Sequence, residues 1–303
     1  MSSPSDASPS LRVVFLGTPR FAATCLEQLL QSRHEVVGVV TAPDRPAGRG
    51  RSLRASDVKK VALQHNLPLA QPEKLKDETF HAQLDAWNAD LGVVVAFRML
   101  PEVVWNRPRV GTINLHGSLL PQYRGAAPIH WAVLNGEKTT GASTFLLEHE
   151  IDTGHVLDRV EIPIGPDDTT GLVHDRLLDA GKHLLVRTID ALAEGTANPV
   201  PQEALLEDGV IPKEAPKLFK DHGRIDWSRS AADIQDVAVE EGLEPPLPTD
   251  PGWHLLEEKR GVKRWKGFDP EMQKQLDSMA KSRRTVARFT GFAMSEMDGS
   301  GSS

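Results

Sequence analysis

The stretch Leu91–Phe97 (LGVVVAF) is a continuous apolar run of strand length. A strand that is apolar at nearly every position is typical of a parallel sheet, in which helices cover both faces. Other strand signals along the chain alternate with helical ones. Strands are predicted over 11–17, 36–41, 91–97, 112–115, 142–147 and 156–164, and helices over 21–30, 58–65, 128–134 and 172–193. This alternation predicts an α/β fold with an open, mostly parallel sheet and flanking helices.

The α/β pattern fills the middle of the chain, and the two ends differ from it in composition. Residues 1–10 are rich in Ser and Pro and are expected to be a disordered leader rather than a signal peptide. Residues 11–202 are expected to form one domain, followed by a proline- and charge-rich linker over 203–227. Residues 228–303 change from acidic to basic and match no expected pattern, so a disordered or loosely helical tail is the simplest expectation.

Composition excludes several classes of protein. With 39% hydrophobic and 25% charged residues, the chain has the profile of a soluble globular protein. Its single cysteine, Cys25, allows no internal disulfide and no cysteine-rich zinc site, which indicates a cytoplasmic setting, and its place on the apolar side of a predicted helix indicates a core residue. No apolar run is long enough to cross a membrane. The spacing of the histidines predicts no metal site.

The segment Asn114–Pro121 (NLHGSLLP) carries the strongest chemical signal. Asn114 and His116 lie two residues apart at the end of a predicted strand, so their side chains point to one face. Open α/β sheets bind ligands at the carboxyl ends of their strands. An amide that holds an oxyanion and an imidazole that moves a proton suit acyl transfer. Taken alone, however, an Asn-x-His sequence is better explained as a hydrogen-bonded turn.

A possible partner for His116 follows in the segment Ile151–Gly154 (IDTG), between two predicted strands. The carboxylate of Asp152 would orient the imidazole and stabilise its charged form if the two were close. An Asp-x-Gly turn is usually structural, and the sequence alone does not bring the two residues together.

The loop Asp44–Arg51 (DRPAGRGR) is locally basic on an acidic chain. Residues 43–60 contain six Lys or Arg against two acidic residues, whereas the whole chain has a net charge of −7. Such a patch suits phosphate groups. A solvated, flexible loop explains the same composition equally well.

In combination, these segments resemble the methionyl-tRNA formyltransferase family over residues 11–227. The matching segments occur in order along the chain: FLGTP at 15–19, DRPAGRG at 44–50, VAFRMLP at 95–101, NLHGSLLP at 114–121, YRGAAP at 123–128, IDTG at 151–154 and RIDW at 224–227. The resemblance implies a Rossmann-like domain. It also implies transfer of the formyl group of 10-formyltetrahydrofolate to the α-amine of methionyl initiator tRNA, in translation initiation.

The resemblance also implies roles for individual residues. Asn114 would donate a hydrogen bond to the formyl oxygen, His116 would assist proton transfer, and Asp152 would hold His116. The implied folate cleft draws on three stretches: Phe97, Arg98, Met99, Leu100 and Val104; Ser118, Leu119, Leu120 and Pro121; and Glu150 and Ile151. The implied tRNA contacts are Arg45, Arg49 and Arg51, since sugar and ribonucleotide formyltransferases lack this loop. A cytoplasmic monomer without metal or membrane is expected.

The resemblance ends at Trp227, where the family normally continues into a β-barrel. Residues 228–303 are a divergent tRNA-binding appendage, an unrelated module or the product of an altered reading frame; their polarity fits all three. Two other functions stay open at this point. One is formyl transfer to a small amine, and the other is a folate- or tRNA-binding relic without turnover.

Overall fold

The computed structural model describes residues 9–47, 52–166, 168–206, 209–219, 254–259 and 262–266. The chain splits into two compact units. Unit 1 comprises Met1–Trp131, Lys138–Pro166 and Leu172–Lys217. Unit 2 comprises Ala132–Glu137, Asp167–Gly171 and Leu218–Ser303.

Strands and helices alternate along the described chain. The strands are β1 (Arg12–Gly17), β2 (Glu35–Val40), β3 (Arg45–Ala47), β4 (Ser52–Arg54), β5 (Leu69–Ala70), β6 (Leu91–Val95), β7 (Gly111–His116), β8 (Arg124–Gly125), β9 (Thr139–Leu146), β10 (Val156–Pro163), β11 (Glu214–Ala215), β12 (His254–Lys259) and β13 (Val262–Lys266). The helices are α1 (Arg20–Leu30), α2 (Asp57–Gln64), α3 (Glu78–Trp87), α4 (Glu102–Trp105), α5 (Pro128–Leu134) and α6 (Thr170–Glu194), with a 3-10 helix at Gln202–Leu205.

Seven strands form the central sheet of unit 1, in the order β10-β9-β7-β6-β1-β2-β5. The strands β5, β2, β1, β6 and β7 run parallel, whereas β9 is antiparallel to β7 and to β10. The predicted open, mostly parallel sheet is therefore confirmed. Because β1 lies between β2 and β6, the strand order reverses there, and the crevice at the carboxyl ends of β1 and β6 is where such sheets bind ligands.

The strand that predicted this architecture is buried at every position from Leu91 to Val95. It is two residues shorter than predicted, because Ala96 adopts a left-handed conformation with φ of 45° and turns the chain out of the sheet. Phe97 consequently leaves the strand and packs, partly buried, against an apolar cluster that includes Leu16, Leu84 and Val104. The crevice at the carboxyl end of β6 therefore lies next to this apolar cluster.

Several features of unit 1 were not predicted from the sequence, among them a helix, a hairpin and a strand pair. The helix α3 begins after Asp77, whose carboxylate accepts a hydrogen bond from the Thr79 backbone N–H at 2.8 Å. The basic segment forms a short hairpin of β3 and β4 rather than an open loop. The strand β11, within the predicted linker, pairs in parallel with β8.

The segment 209–217, called the strap below, is held in unit 1 by backbone contacts of residues 213–216. Besides the β8–β11 pair, Ala127 N–H donates to the Ala215 carbonyl at 3.1 Å, and Trp131 Nε1 donates to the Pro216 carbonyl at 2.7 Å. A Cβ on Gly125 would lie 2.5 Å from the Ala215 oxygen, so a residue without a side chain is needed where the strap crosses β8. The domain boundaries at 202 and 227 stay predictions.

In unit 2, the described residues after Leu218 include an antiparallel hairpin of β12 and β13. Paired strands therefore occur where the sequence predicted a disordered or loosely helical tail. The rest of 228–303, and residues 1–8, lie outside the described residues. Within the described part of the chain, no helix combines the length and the apolar character needed to cross a membrane.

Candidate active site

The last residues of β7 bring an amide and an imidazole to the carboxyl edge of the sheet. Asn114 and His116 alternate with buried Leu115, so their side chains share one face, as predicted. His116 is 6% exposed, whereas Asn114 is partly exposed. The Asn114 side chain forms no hydrogen bond with any residue that the structure describes. Its two N–H donors therefore remain available to a ligand.

The hydrogen bonds of His116 determine which ring nitrogen carries its proton. Nε2 lies 2.8 Å from the backbone carbonyl oxygen of Tyr123. A carbonyl oxygen only accepts, so Nε2 donates, and in the neutral ring Nδ1 is the nitrogen with a free lone pair. Nδ1 is 3.9 Å from Oδ2 of Asp152, with both side chains largely buried. The structure thus brings together the imidazole and the carboxylate that the sequence could not connect.

The turn between β9 and β10 holds Asp152 in an unusual backbone conformation. Asp152 has a φ of 55°, in the left-handed region, and the Gly125 N–H donates to its Oδ2 at 3.1 Å. A Cβ on Gly154 would lie 1.7 Å from the carbonyl oxygen of Leu146, so only glycine fits there. The Asp-x-Gly turn is therefore structural as well as being the carrier of the carboxylate.

The predicted folate-binding residues of 97–104 fall into an apolar group and a polar one. Phe97, Leu100 and Val104 pack in one cluster, and Met99 is 74% exposed beside them. The Arg98 guanidinium is held in place, because it donates to the backbone carbonyls of Pro72 and Glu73. It also lies over the Phe97 ring, 5.6 Å from the centroid. Arg98 thereby braces the apolar surface that Phe97 presents.

The loop after His116 was predicted to form the adjoining wall of the cleft, but it is mainly internal. Ser118 and Leu120 are fully buried, and Pro121 is also buried, whereas Leu119 is partly exposed. Ser118 Oγ donates to the Gln122 carbonyl at 2.6 Å, and Leu120 packs with Phe145 and Val156. These buried side chains stabilise the loop by packing inside unit 1 and do not line an open cleft. The other two predicted folate-binding residues are at the surface: Ile151 is 62% exposed, and Glu150 is also exposed.

A cleft of about 130 Å³ lies among β1, β6, α3 and α4, and it includes Leu100 and Val104 of the predicted folate residues. It does not include Asn114, His116 or Asp152. The cleft and the group formed by Asn114, His116 and Asp152 are therefore separate features of unit 1.

Comparison with known proteins assigns this arrangement to a family. The family model described as formyl transferase matches residues 11–189. A methionyl-tRNA formyltransferase from Bacteroides fragilis is 54% identical over 235 residues, covering 78% of this chain and 72% of that protein. One from Flavobacterium johnsoniae is 46% identical over 249 residues, covering 82% of this chain and 76% of that protein. The chain belongs to the methionyl-tRNA formyltransferase family.

Solved structures agree on the fold. A sugar 3N-formyl transferase in the presence of dTDP and 5-N-formyl-THF matches with a TM-score of 0.57 and 16% identity, over 76% of this chain and 78% of that one. Glycinamide ribonucleotide transformylase 1 from Symbiobacterium toebii matches with a TM-score of 0.53 and 18% identity, over 61% of this chain and 89% of that one. At these identities the likeness concerns the fold alone, which confirms the Rossmann-like formyltransferase architecture.

The arginine-rich hairpin of this formyltransferase is anchored at its base. Arg45, in β3, is exposed and pairs in register with Arg54 of β4, whereas Arg49 and Arg51 lie outside the described residues. Just before β3, Asp44 accepts hydrogen bonds from Lys59 Nζ at 2.6 Å and from Gln71 Nε2 at 2.9 Å. The bond from Lys59, followed by that from Gln71, lowers the pKa of the Asp44 carboxyl. The carboxylate thus stays charged as an anchor for the hairpin.

Two further residues bear on the chemistry of the site. Cys25 is fully buried, and burial raises the pKa of its thiol to about 12, which confirms the predicted core role and excludes a thiolate nucleophile there. Gln202 is also fully buried, and it hydrogen-bonds the Asp152 turn. Nothing in the sequence pointed to Gln202, since a glutamine after a proline has no characteristic spacing to the motifs.

Proposed function

We propose that this chain transfers the formyl group of 10-formyltetrahydrofolate to the α-amine of methionyl initiator tRNA, with Asn114, His116 and Asp152 as its catalytic residues. The observation that carries the proposal is the approach of His116 Nδ1 to the Asp152 carboxylate at 3.9 Å, beside the unpaired amide of Asn114. Relatives named methionyl-tRNA formyltransferase at 46–54% identity support the choice of acceptor.

The three side chains meet the needs of acyl transfer. The amine nitrogen forms a bond to the formyl carbon, and the bond from that carbon to N10 of the folate breaks. Asn114 donates to the formyl oxygen as negative charge develops on it. His116 accepts the amine proton at Nδ1, and the Asp152 carboxylate stabilises the imidazolium that results. The same proton can then be returned to N10, so charge and atoms balance.

The folate would bind beside this group, and the residues of β6 and the following segment suit it. When bound, 10-formyltetrahydrofolate supplies the activated formyl carbon. Phe97 and Leu100 offer a partly buried apolar surface for a flat pterin, and Val104 supports it from within the cluster. Met99 and Ile151 add exposed apolar side chains to the residues proposed for this site. No metal is required by this chemistry.

The tRNA would be recognised through positive charge at the β3–β4 hairpin. Arg45 is exposed on the described part of the hairpin, and Arg49 and Arg51 follow in the same loop. Guanidinium groups suit phosphate contacts, which position a nucleic acid without reading its sequence. We further expect a monomer that acts in the cytoplasm, in keeping with a single buried thiol.

The experiment is a formylation assay with three acceptors: methionyl initiator tRNA, methionyl elongator tRNA and a small amine such as methionine amide. The proposal expects formyl-methionine on initiator tRNA in clear preference to both others. Equal use of the small amine would mean that the acceptor is not tRNA. Absence of product with all three, while the protein still binds 10-formyltetrahydrofolate, would mean a binding relic and would overturn the proposal.

A further inference from the structure

The side chain of Gln202 is fully enclosed and connects segments of unit 1 that are far apart in sequence. Gln202 begins the 3-10 helix that follows α6, outside the residues 11–189 matched by the family model. Both ends of its amide face polar groups. A buried amide in such a position either only fills space in the core or holds a neighbouring segment in a particular conformation.

The hydrogen bonds of Gln202 converge on the turn that carries Asp152. Its Nε2 donates to the backbone carbonyl oxygens of Asp152 and Gly154, each at 2.8 Å. Its Oε1 accepts from Arg124 Nε at 2.9 Å. A primary amide has two N–H donors, so both are used on the turn, and the Arg124 bond sets which end of the amide faces it.

The turn needs support of this kind because its backbone is unfavourable without it. Asp152 lies in the left-handed region, which non-glycine residues occupy only when their surroundings hold them there. The carbonyl that Gln202 binds belongs to the same residue whose carboxylate faces His116 Nδ1. Fixing that carbonyl therefore fixes the direction from which the carboxylate approaches the imidazole.

Neighbouring backbone groups already attach the segment that carries Gln202 to the rest of unit 1. The backbone groups of Val200 and Val156 exchange two hydrogen bonds, each of 2.9 Å, which tie this segment to the start of β10. These backbone bonds hold the segment without the Gln202 amide, whose loss would remove partners only from the Asp152 turn and from Arg124.

We propose that Gln202 is a positioning residue for formyl transfer, which acts by holding the Asp152 turn so that its carboxylate faces His116. This rests on the proposed function of those two residues. Gln202 itself need not touch either substrate. The inference concerns the rate of the chemical step and not the binding of folate or tRNA.

The first test compares Gln202→Met, which keeps length and volume but no hydrogen bonds, with Gln122→Met. Gln122 is a matched control, because among the described residues its Oε1 accepts only from the Lys213 N–H of the strap, at 2.9 Å. We expect kcat of Gln202→Met to fall about 10- to 100-fold, with both KM values within about twofold of wild type. The control should keep its kcat. An unchanged kcat, or a loss confined to the tRNA KM, would overturn the proposal.

Gln202→Glu separates the two sides of the amide, because a carboxylate still accepts from Arg124 but has no N–H for the carbonyls. The expected kcat is as low as that of Gln202→Met. Wild-type turnover in Gln202→Glu would show that only the Arg124 bond matters, and the positioning role would be wrong. Should Gln202→Met fail to fold, Gln202→Asn serves instead, because it is one methylene too short to reach both carbonyls.

A double-mutant cycle with Asp152→Asn tests whether Gln202 acts through Asp152. If it does, Gln202→Met lowers kcat little further once Asp152 is neutral, so the two losses are not multiplicative. Fully multiplicative losses would contradict the proposal.

Hydrogen exchange of the free protein gives a readout that needs no formyl transfer. In Gln202→Met, amide exchange should quicken over residues 150–154 and at Gly125, but not across β9. If wild type does not formylate initiator tRNA, the proposed function fails whatever the exchange shows. If exchange in that turn is unchanged, the positioning role fails even in an active enzyme.

Discussion

The turn at Asp152 and the hairpin at Arg45 are both irregular segments of unit 1, yet they are held in opposite ways. The Asp152 turn is bound from several sides, by the Gly125 N–H and by the buried amide of Gln202. The hairpin is fixed at its base, where Asp44 accepts from Lys59 and Gln71, and its arginine is exposed.

The difference follows from what each segment has to do. Proton transfer depends on distances within a few tenths of an ångström, so a carboxylate that serves an imidazole needs a rigid frame. Phosphate contacts act through charge over longer distances and tolerate many geometries. Substitutions at the turn should therefore change kcat, and substitutions at the hairpin should change the use of tRNA.

The largest effect on kcat is expected at His116, which faces the rigidly held Asp152 turn. His116→Ala removes the group that accepts the amine proton, and kcat should fall about 10²- to 10⁴-fold. Binding of 10-formyltetrahydrofolate should survive. His65→Ala, at an exposed histidine after α2, is the control. Turnover of the His116 variant within tenfold of wild type would remove His116 from the proposed mechanism.

Gly154→Ala should displace the Asp152 turn without removing any polar group. Its Cβ would stand 1.7 Å from the Leu146 carbonyl oxygen, so the turn must shift and carry Asp152 away from His116. We expect kcat to fall about 10²-fold. The control is Gly181→Ala, assayed in parallel. The Cβ of the control meets its nearest neighbour at 3.4 Å, an ordinary contact, so its rate should be normal. Equal rates for the two variants would mean that the turn need not be rigid.

At the hairpin, Arg45→Ala should weaken tRNA use about tenfold by raising its KM, with kcat preserved. Loss of one phosphate contact should also reduce the salt dependence of tRNA binding by about one unit of slope. Arg20, exposed on α1, provides the control substitution to alanine. A salt slope identical to wild type would exclude Arg45 from contact with phosphate.

The smallest effect is expected for Asp44→Asn, which loosens the base of the hairpin and leaves its arginines in place. Loss of the Lys59 ion pair should raise the tRNA KM about two- to fivefold. The KM for 10-formyltetrahydrofolate should not change. A larger fall in kcat than in tRNA affinity would show that the hairpin and the catalytic turn are coupled.

The sequence predicted the sheet because its strands are long and apolar, but it missed what depends on distant partners. The composition of Leu91–Phe97 is enough to predict a buried strand. The left-handed Ala96, which ends that strand early, has no local signal. Asn114 and His116 could be placed on one face by their spacing, whereas Asp152 needed the fold to reach them.

Gln202 could not be predicted at all, because its role consists of hydrogen bonds to residues 48 to 78 positions away. The family resemblance predicted a folate-binding role for residues 118–121 but not that Ser118 and Leu120 are buried. Burial of that kind depends on how β9 and β10 pack against the loop, which no motif encodes.

The most direct test of the account is the single-turnover rate of formyl transfer by Asn114→Ala, with 10-formyltetrahydrofolate and methionyl initiator tRNA both saturating. Because Asn114 supplies a donor to the developing oxyanion, the rate should be about 10²- to 10³-fold below wild type, with folate binding unchanged. A rate close to wild type would contradict the assignment of this strand end as the site of formyl transfer.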